Sequence, residues 1–193
     1  MTGPADATAP GARAFAPPDP PLAVGSIRLR LPAARDEDAI YEACQDPEIQ
    51  RWAATPVPYL REHAQGWIEG AEPEWAEARH GALAIVDATD DRFLGAIGLS
   101  PQEPHRVEIG FWIVPAARGR GIATEATRLV ARWALRDLGF DRLELLHLVG
   151  NAASRRVAEK AGFHHEGTLR DYAVVRGEVC DVVMYSLLAA DLD

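Results

Sequence analysis

Hydrophobic and polar positions settle into regular patterns only from Ser26 onward. Ile27, Leu29 and Leu31 alternate with Arg28 and Arg30, the period-two spacing of a half-buried strand. Arg35 to Gln45 reads as a short helix with acids in its first turn. A second helical stretch starts near Leu60 and runs toward Arg79, and Gly70 and Pro73 are expected to interrupt it. Ala82 to Asp87, Arg92 to Ser100 and Arg106 to Val114 are rich in Val, Ile, Leu and Phe. Turn residues at Thr89 to Asp91 and Pro101 to Pro104 separate them. This pattern predicts three consecutive antiparallel strands.

Gly121 to Leu138 carries the clearest helical stripe, with Ile122, Ala126, Leu129, Val130, Trp133 and Leu138 on one face and Gly139 placed to end it. Arg142 to Val149 reads as a strand and Ala152 to Ala161 as a helix closing at Gly162. Phe163 to Val175 and Glu178 to Leu188 read as a hairpin across Arg176-Gly177. A strand–helix–strand unit set among antiparallel strands predicts a mixed α/β sheet, α+β in character. Met1 to Gly25 holds Pro4, Pro10, Pro17, Pro18, Pro20 and Pro21 among alanines. With so little apolar surface it reads as a disordered tail, leaving one domain over residues 26–193. It lacks the apolar core and basic start of a signal peptide.

Composition narrows the class. The 193 residues are 48 % hydrophobic and 25 % charged, ordinary for a single soluble domain. Cys44 and Cys180 are the only cysteines. Isolated thiols suggest neither a zinc site nor a disulfide framework and fit a cytoplasmic protein. No apolar run suggests a membrane span. The net charge of −9 argues against general nucleic-acid binding. Its distribution is uneven. Arg35 to Arg79 holds 11 acids against 4 arginines, a balance of −7, and Pro115 to Lys160 holds 9 bases against 5 acids, a balance of +4. One part of the chain favours a cation and the other a polyanion, unless both are simply solvated faces.

The turn from the third strand into the long helix carries candidate chemistry. Arg118, Gly119, Arg120, Gly121, Ile122, Ala123 and Thr124 follow Pro115. Glycines allow a tight turn and close backbone approach, and the first amides of a helix lack intrahelical partners, which suits a phosphate. The alternative is a plain strand-to-helix turn. The segment lacks the GxxxxGKS/T spacing of a nucleotide P-loop and the GxGxxG with a strand-end acid of a dinucleotide fold.

Arg118, Gly121 and Ala123 match Q/R-x-x-G-x-G/A, the pyrophosphate-binding signature of the GNAT acetyltransferase superfamily. One helix and one strand later, Asn151 to Phe163 resembles the NxxSxxxxEKxGF stretch of its RimJ/RimL-like branch, and Glu166 to Arg170 and Asp181 to Leu187 continue the pattern. The resemblance spans roughly Ser26 to Leu188. It implies a mostly antiparallel sheet of about seven strands with a splayed parallel pair and about four helices. It also implies acetyl-CoA as co-substrate, no metal, an amine-bearing acceptor, and a monomer or homodimer.

By the same resemblance, Phe111, Trp112, Ile113 and Val114 bond the pantetheine arm. The amides of Gly119 to Thr124 take the pyrophosphate, and Asn151 and Ser154 border the thiol end. Glu108 is the candidate general base and Ser154 the candidate acid for the leaving thiolate. An amide near Ile113 would stabilise the oxyanion, and Tyr172 is an outside candidate for proton transfer. A glutamate that some RimL-type enzymes carry after the second motif falls here on Ala173. Arg51, Trp52, Tyr59, Trp67 and Trp75 are candidates to shape the acceptor pocket. The competing reading is a non-catalytic acetyl-CoA-binding sensor.

Overall fold

The computed structural model describes residues 15–192. One eight-stranded sheet organises it, with spatial order β1-β2-β3-β4-β5-β6-β8-β7. The strands are β1 (Leu22–Val24), β2 (Ile27–Arg30), β3 (Gly81–Asp87), β4 (Phe93–Glu103), β5 (Arg106–Ile113), β6 (Arg142–Leu148), β7 (His164–Val175) and β8 (Glu178–Leu188). Five α-helices cover it: α1 (Glu37–Ala43), α2 (Pro47–Trp52), α3 (Arg61–Ala76), α4 (Ile122–Arg136) and α5 (Ala152–Ala161). Every neighbouring pair is antiparallel except β5 and β6.

The strand and helix counts exceed the expected seven and four by one each. The additional helix, α2, is six residues long, too short for an apolar stripe to register. Its start was nonetheless written locally, because Asp46 caps the Ile49 amide at 3.0 Å and Pro47 opens the first turn. The additional strand, β1, lies in the segment read as tail. Leu22–Val24 pairs with Ile27–Leu29, and Phe15 packs on Trp75 with ring centroids 4.5 Å apart. Ordered chain therefore begins upstream of Ser26. The rest of the expected tail, residues 1–14, lies outside the described residues.

Helix α3 also departs from expectation, since it runs through Gly70 and Pro73. Ala64, Ala71 and Trp75 stay on one buried face, and the Trp75 indole donates to the Ala82 carbonyl at 3.0 Å. Burial of that face outweighs one lost backbone bond, and the neighbouring Glu69 is exposed to water.

The sheet separates two apolar layers. On one side Leu83, Ile97, Ile109, Leu143 and Leu145 pack with α4 and α5. On the other Ala84, Val86, Phe93 and Ala96 pack with α1, α2 and α3. Strands β5 and β6 pair in register only from Arg106, Val107 and Glu108 to Arg142, Leu143 and Glu144. Beyond that β5 stays with β4 to Ile113, and β6 with β8 to Leu148. Each half-sheet then follows its own twist, and the sheet opens into a V. No helix of the described residues is long and apolar enough to cross a membrane.

Candidate active site

The V opens into a cleft of about 1230 Å³ that reaches both faces of the sheet. Its first half is built where β5 runs into α4. Gly119 (φ +76°) and Gly121 (φ +83°) both adopt the left-handed conformation, which side chains with a Cβ disfavour. An added Cβ at either would meet open space, so the requirement is backbone conformation and an unobstructed approach. The first backbone donor of the helix with an acceptor is the Glu125 amide, bonded to Gly121 at 3.0 Å. The amides of Gly119, Arg120, Gly121, Ile122, Ala123 and Thr124 have no backbone acceptor among the described residues. Six donors at a helix start form an anion cradle.

The Arg118 side chain is not part of that cradle. Its Nη2 lies 2.6 Å from Asp46 and its Nε donates to the Ile113 carbonyl at 3.2 Å. The ion pair holds the Asp46 carboxyl below its ordinary range. Arg118 thus fastens the end of β5 to the start of α2. Arg120 is exposed, its amide is one of the six without a backbone acceptor, and its side chain stands outside the cleft lining.

Strand alternation sorts the four residues expected to meet the pantetheine arm. The Val114 amide is bonded to Leu94 at 2.9 Å, so Trp112, two residues back, also turns its backbone toward β4. Phe111 and Ile113 turn theirs toward the gap. Val114 is outside the cleft lining. Trp112 enters it through its indole, which packs on Phe93 at 5.6 Å. Across the gap, Asn151 caps α5 by accepting the Ser154 amide at 3.0 Å. The Ser154 hydroxyl lines the cleft and has no hydrogen-bond partner among the described residues.

The second half lies on the α1–α3 side. Glu108 projects there, half-buried, and its carboxyl is pushed up first by burial and then by Glu144, with Arg106 opposing. Glu144 is its register partner on β6, 4 % exposed, held by Arg142 at 2.7 Å and Arg106 at 3.2 Å. Arg142 also grips Glu166 at 2.6 Å, which with a Ser186 hydrogen bond holds that carboxyl at about 2. Trp52, Tyr59 and Trp67 line this half, whereas Trp75 is core and Arg51 stacks on Trp52 at 4.5 Å. Tyr172, the outside candidate, is 56 % exposed on β7 and away from the cleft. Its strand belongs to the terminal hairpin, which pairs with β6 on the far side of the V.

Three lining residues had no sequence signal of their own: His80, Ser100 and His147. His147 is 8 % exposed, donates from Nδ1 to the Leu148 carbonyl at 2.9 Å, and keeps a buried Nε2 without a partner. His80 Nδ1 lies 2.9 Å from Ser100 Oγ. The glycines Gly98 and Gly110, set inside strands, were the available hint. Charge divides along the cleft. Its lining acids, Glu48, Glu62 and Glu108, come from α2, α3 and β5, and its lining bases, Arg118, Arg156 and Lys160, surround the cradle and α5. Among the described residues no group of three His, Cys, Asp or Glu side chains is placed to hold a metal ion.

The family model for the acetyltransferase (GNAT) domain matches residues 26–164. The chain belongs to the GNAT acetyltransferase family. This acetyltransferase is 40 % identical over 130 residues to YdaF of Bacillus subtilis (strain 168), named as a ribosomal N-acetyltransferase, covering 65 % of this chain and 70 % of YdaF. It is 28 % identical over 162 residues to the L-amino acid N-acetyltransferase AaaT of Escherichia coli (strain K12), covering 82 % and 95 %. A crystal structure described as an acetyltransferase superposes with TM-score 0.78 at 28 % identity, over 89 % of this chain and 98 % of that one. RimL, an acetyltransferase of ribosomal L7/L12 solved with coenzyme A, has the same fold, with TM-score 0.77 at 21 % identity over 90 % and 99 %. The chain is thus an acetyl-CoA-dependent acetyltransferase of the GNAT family.

Proposed function

We propose that this enzyme moves the acetyl group of acetyl-CoA directly onto a primary amine carried by a molecule without a carboxylate. The observation that carries the reading is the polarity of the cleft. At one end six unpaired amides, with Arg156 and Lys160 nearby, suit the phosphates of coenzyme A. At the other, Glu48, Glu62 and Glu108 suit a cation, and the arginine that reaches toward that half, Arg118, is already paired with Asp46 rather than open to a carboxylate. The backbone of Phe111 and Ile113 is turned to bond the pantetheine arm.

Both substrates sit in the cleft together, so no acyl-enzyme is needed. The amine must be neutral to attack, whereas a free α-amine has a pKa near 8 and a lysine-type amine near 10.4. From ammonium to amide the nitrogen sheds two protons, and Glu108, which lines the acceptor half, is the base for one of them. The Ile113 amide stabilises the oxyanion, and the unpartnered Ser154 hydroxyl protonates or hydrogen-bonds the departing thiolate.

Acetyl-CoA is expected to raise the melting temperature. At 100-fold excess over its Kd a ligand adds about 2.7 kcal/mol, which is about 5–10 °C for a chain of this size. NAD and ATP should shift it little, and an equal shift with NAD overturns the cofactor assignment. Thiol release with an amine panel tests the acceptor class. Diamines, aryl-alkylamines and amidated amino acids are expected to outpace the corresponding free amino acids. Faster turnover of free amino acids, the substrates in AaaT's name, would refute the carboxylate-free assignment.

A further inference from the structure

Two glycines face each other across β4 and β5 on the acceptor side, Gly98 and Gly110. Glycine inside a strand weakens it and marks a close approach. The two positions are used differently. A Cβ at Gly98 would fall 2.6 Å from His80 Cε1 and 2.7 Å from its Nε2, so the imidazole is seated directly over that glycine. A Cβ at Gly110 would meet nothing within 4 Å, and Gly110 is exposed to the cleft. The open floor over Gly110 is bordered by Glu108, two residues earlier on the same strand. Beside it stands His80, held through Nδ1 by Ser100 at 2.9 Å. Ser100 is itself the register partner of Glu108.

An ammonium acceptor must lose two protons before it becomes an amide, and Glu108 accounts for one. We infer that His80 is a second catalytic base, taking through Nε2 the proton that the acceptor ammonium sheds before attack, with the acceptor nitrogen over Gly110. This rests on the acetyl-transfer reading above. The ammonium gives one proton to His80, which releases it to solvent. The freed lone pair forms the C–N bond to the thioester carbon, and the C=O π pair moves to oxygen. That pair returns as the C–S bond breaks and its electrons leave with sulfur. The nitrogen's second proton passes to Glu108 and ends on the thiolate, giving an amide and a free thiol.

The role needs Nδ1–H to donate to Ser100 Oγ, leaving the Nε2 lone pair toward the cleft. The groups that act on the ring are Glu74 on α3 and Ser100 on β4, and Glu108 on β5 lines the same cleft. Burial lowers the His80 pKa and outweighs Glu74, which raises it. The ring is therefore neutral at neutral pH and free to accept a proton.

The test compares the parent with His80→Gln and Gly98→Ala, using thiol release against pH and calorimetric binding of acetyl-CoA. Gly98→Ala keeps the imidazole but pushes it off its seat. Both variants should lose roughly 10²-fold in kcat/KM for the amine. Acetyl-CoA affinity should not change, and the acid limb of the pH profile should lose one ionisation. Added imidazole should restore part of the His80→Gln rate. A purely structural role would lower the melting temperature and leave the shape of the profile intact. An unchanged rate and profile in either folded variant, beside an active parent, overturns the role of His80 alone. A parent that acetylates no amine overturns the acetyl-transfer reading, and this one with it.

Discussion

Glu108→Gln is expected to slow turnover by roughly 10²–10⁴-fold while leaving acetyl-CoA affinity nearly intact. The substitution keeps shape and polarity and removes only the proton acceptor. Parent rates should rise with pH until the amine is neutral, and the variant should regain part of its rate at high pH, where solvent removes the proton unaided. Stability should move the other way. The folded-state pKa of Glu108 is raised by burial and by Glu144, so its favourable contribution exists below the unfolded pKa and is lost as pH rises through the folded one. A glutamine cannot ionise, so the variant should melt at or above the parent temperature at neutral pH. Steady-state kinetics and thermal melts check both halves. Full activity across pH would return Glu108 to being a strand residue held beside Glu144.

Gly121→Glu is expected to abolish acetyl-CoA binding in a protein that stays folded. The backbone there is left-handed, at φ +83°, which costs a residue with a Cβ about 1–2 kcal/mol. The side chain itself meets open space, so the fold has room for it. What it obstructs is the approach to six unpaired amides, and it places a negative charge at the proposed phosphate site. Gly121→Ala separates the two causes, because it carries the backbone strain without the charge. Its affinity should fall far less. Calorimetry for binding and circular dichroism for folding decide the matter. Unchanged coenzyme A affinity in folded Gly121→Glu would place the anion site elsewhere.

Both predictions rest on how a continuous stretch of chain is divided by its neighbours. The backbone of the turn from Gly119 to Thr124 was legible because its geometry is local. Positive φ at glycines and unpaired helix amides depend on residues a few positions apart. What was not local was the use of Arg118, whose side chain turns back to Asp46, 72 residues earlier. Likewise Phe111, Trp112, Ile113 and Val114 form one apolar run in sequence. Only the pairing of β5 with β4 separates Phe111 and Ile113, turned to the gap, from Val114, whose amide is bonded to Leu94.

The sequence by itself determined most of the elements, because periodicity, caps and turns act within a few residues. Helix α5 falls on its expected bounds, Ala152–Ala161, between the Asn151 cap and Gly162. The terminal hairpin likewise turns at Arg176-Gly177. Tertiary structure decided where local signals were weak or overridden. Burial of Ala71 and Trp75 carried α3 through Pro73, and Phe15 joined the core through Trp75 despite its proline-rich surroundings. The floor of the cleft over Gly110 was decided the same way. His80, Ser100 and Glu108 lie on three different segments. Only strand register sets Ser100 opposite Glu108 and Gly98 opposite Gly110, because pairing between distant segments depends on which faces are buried rather than on any local motif.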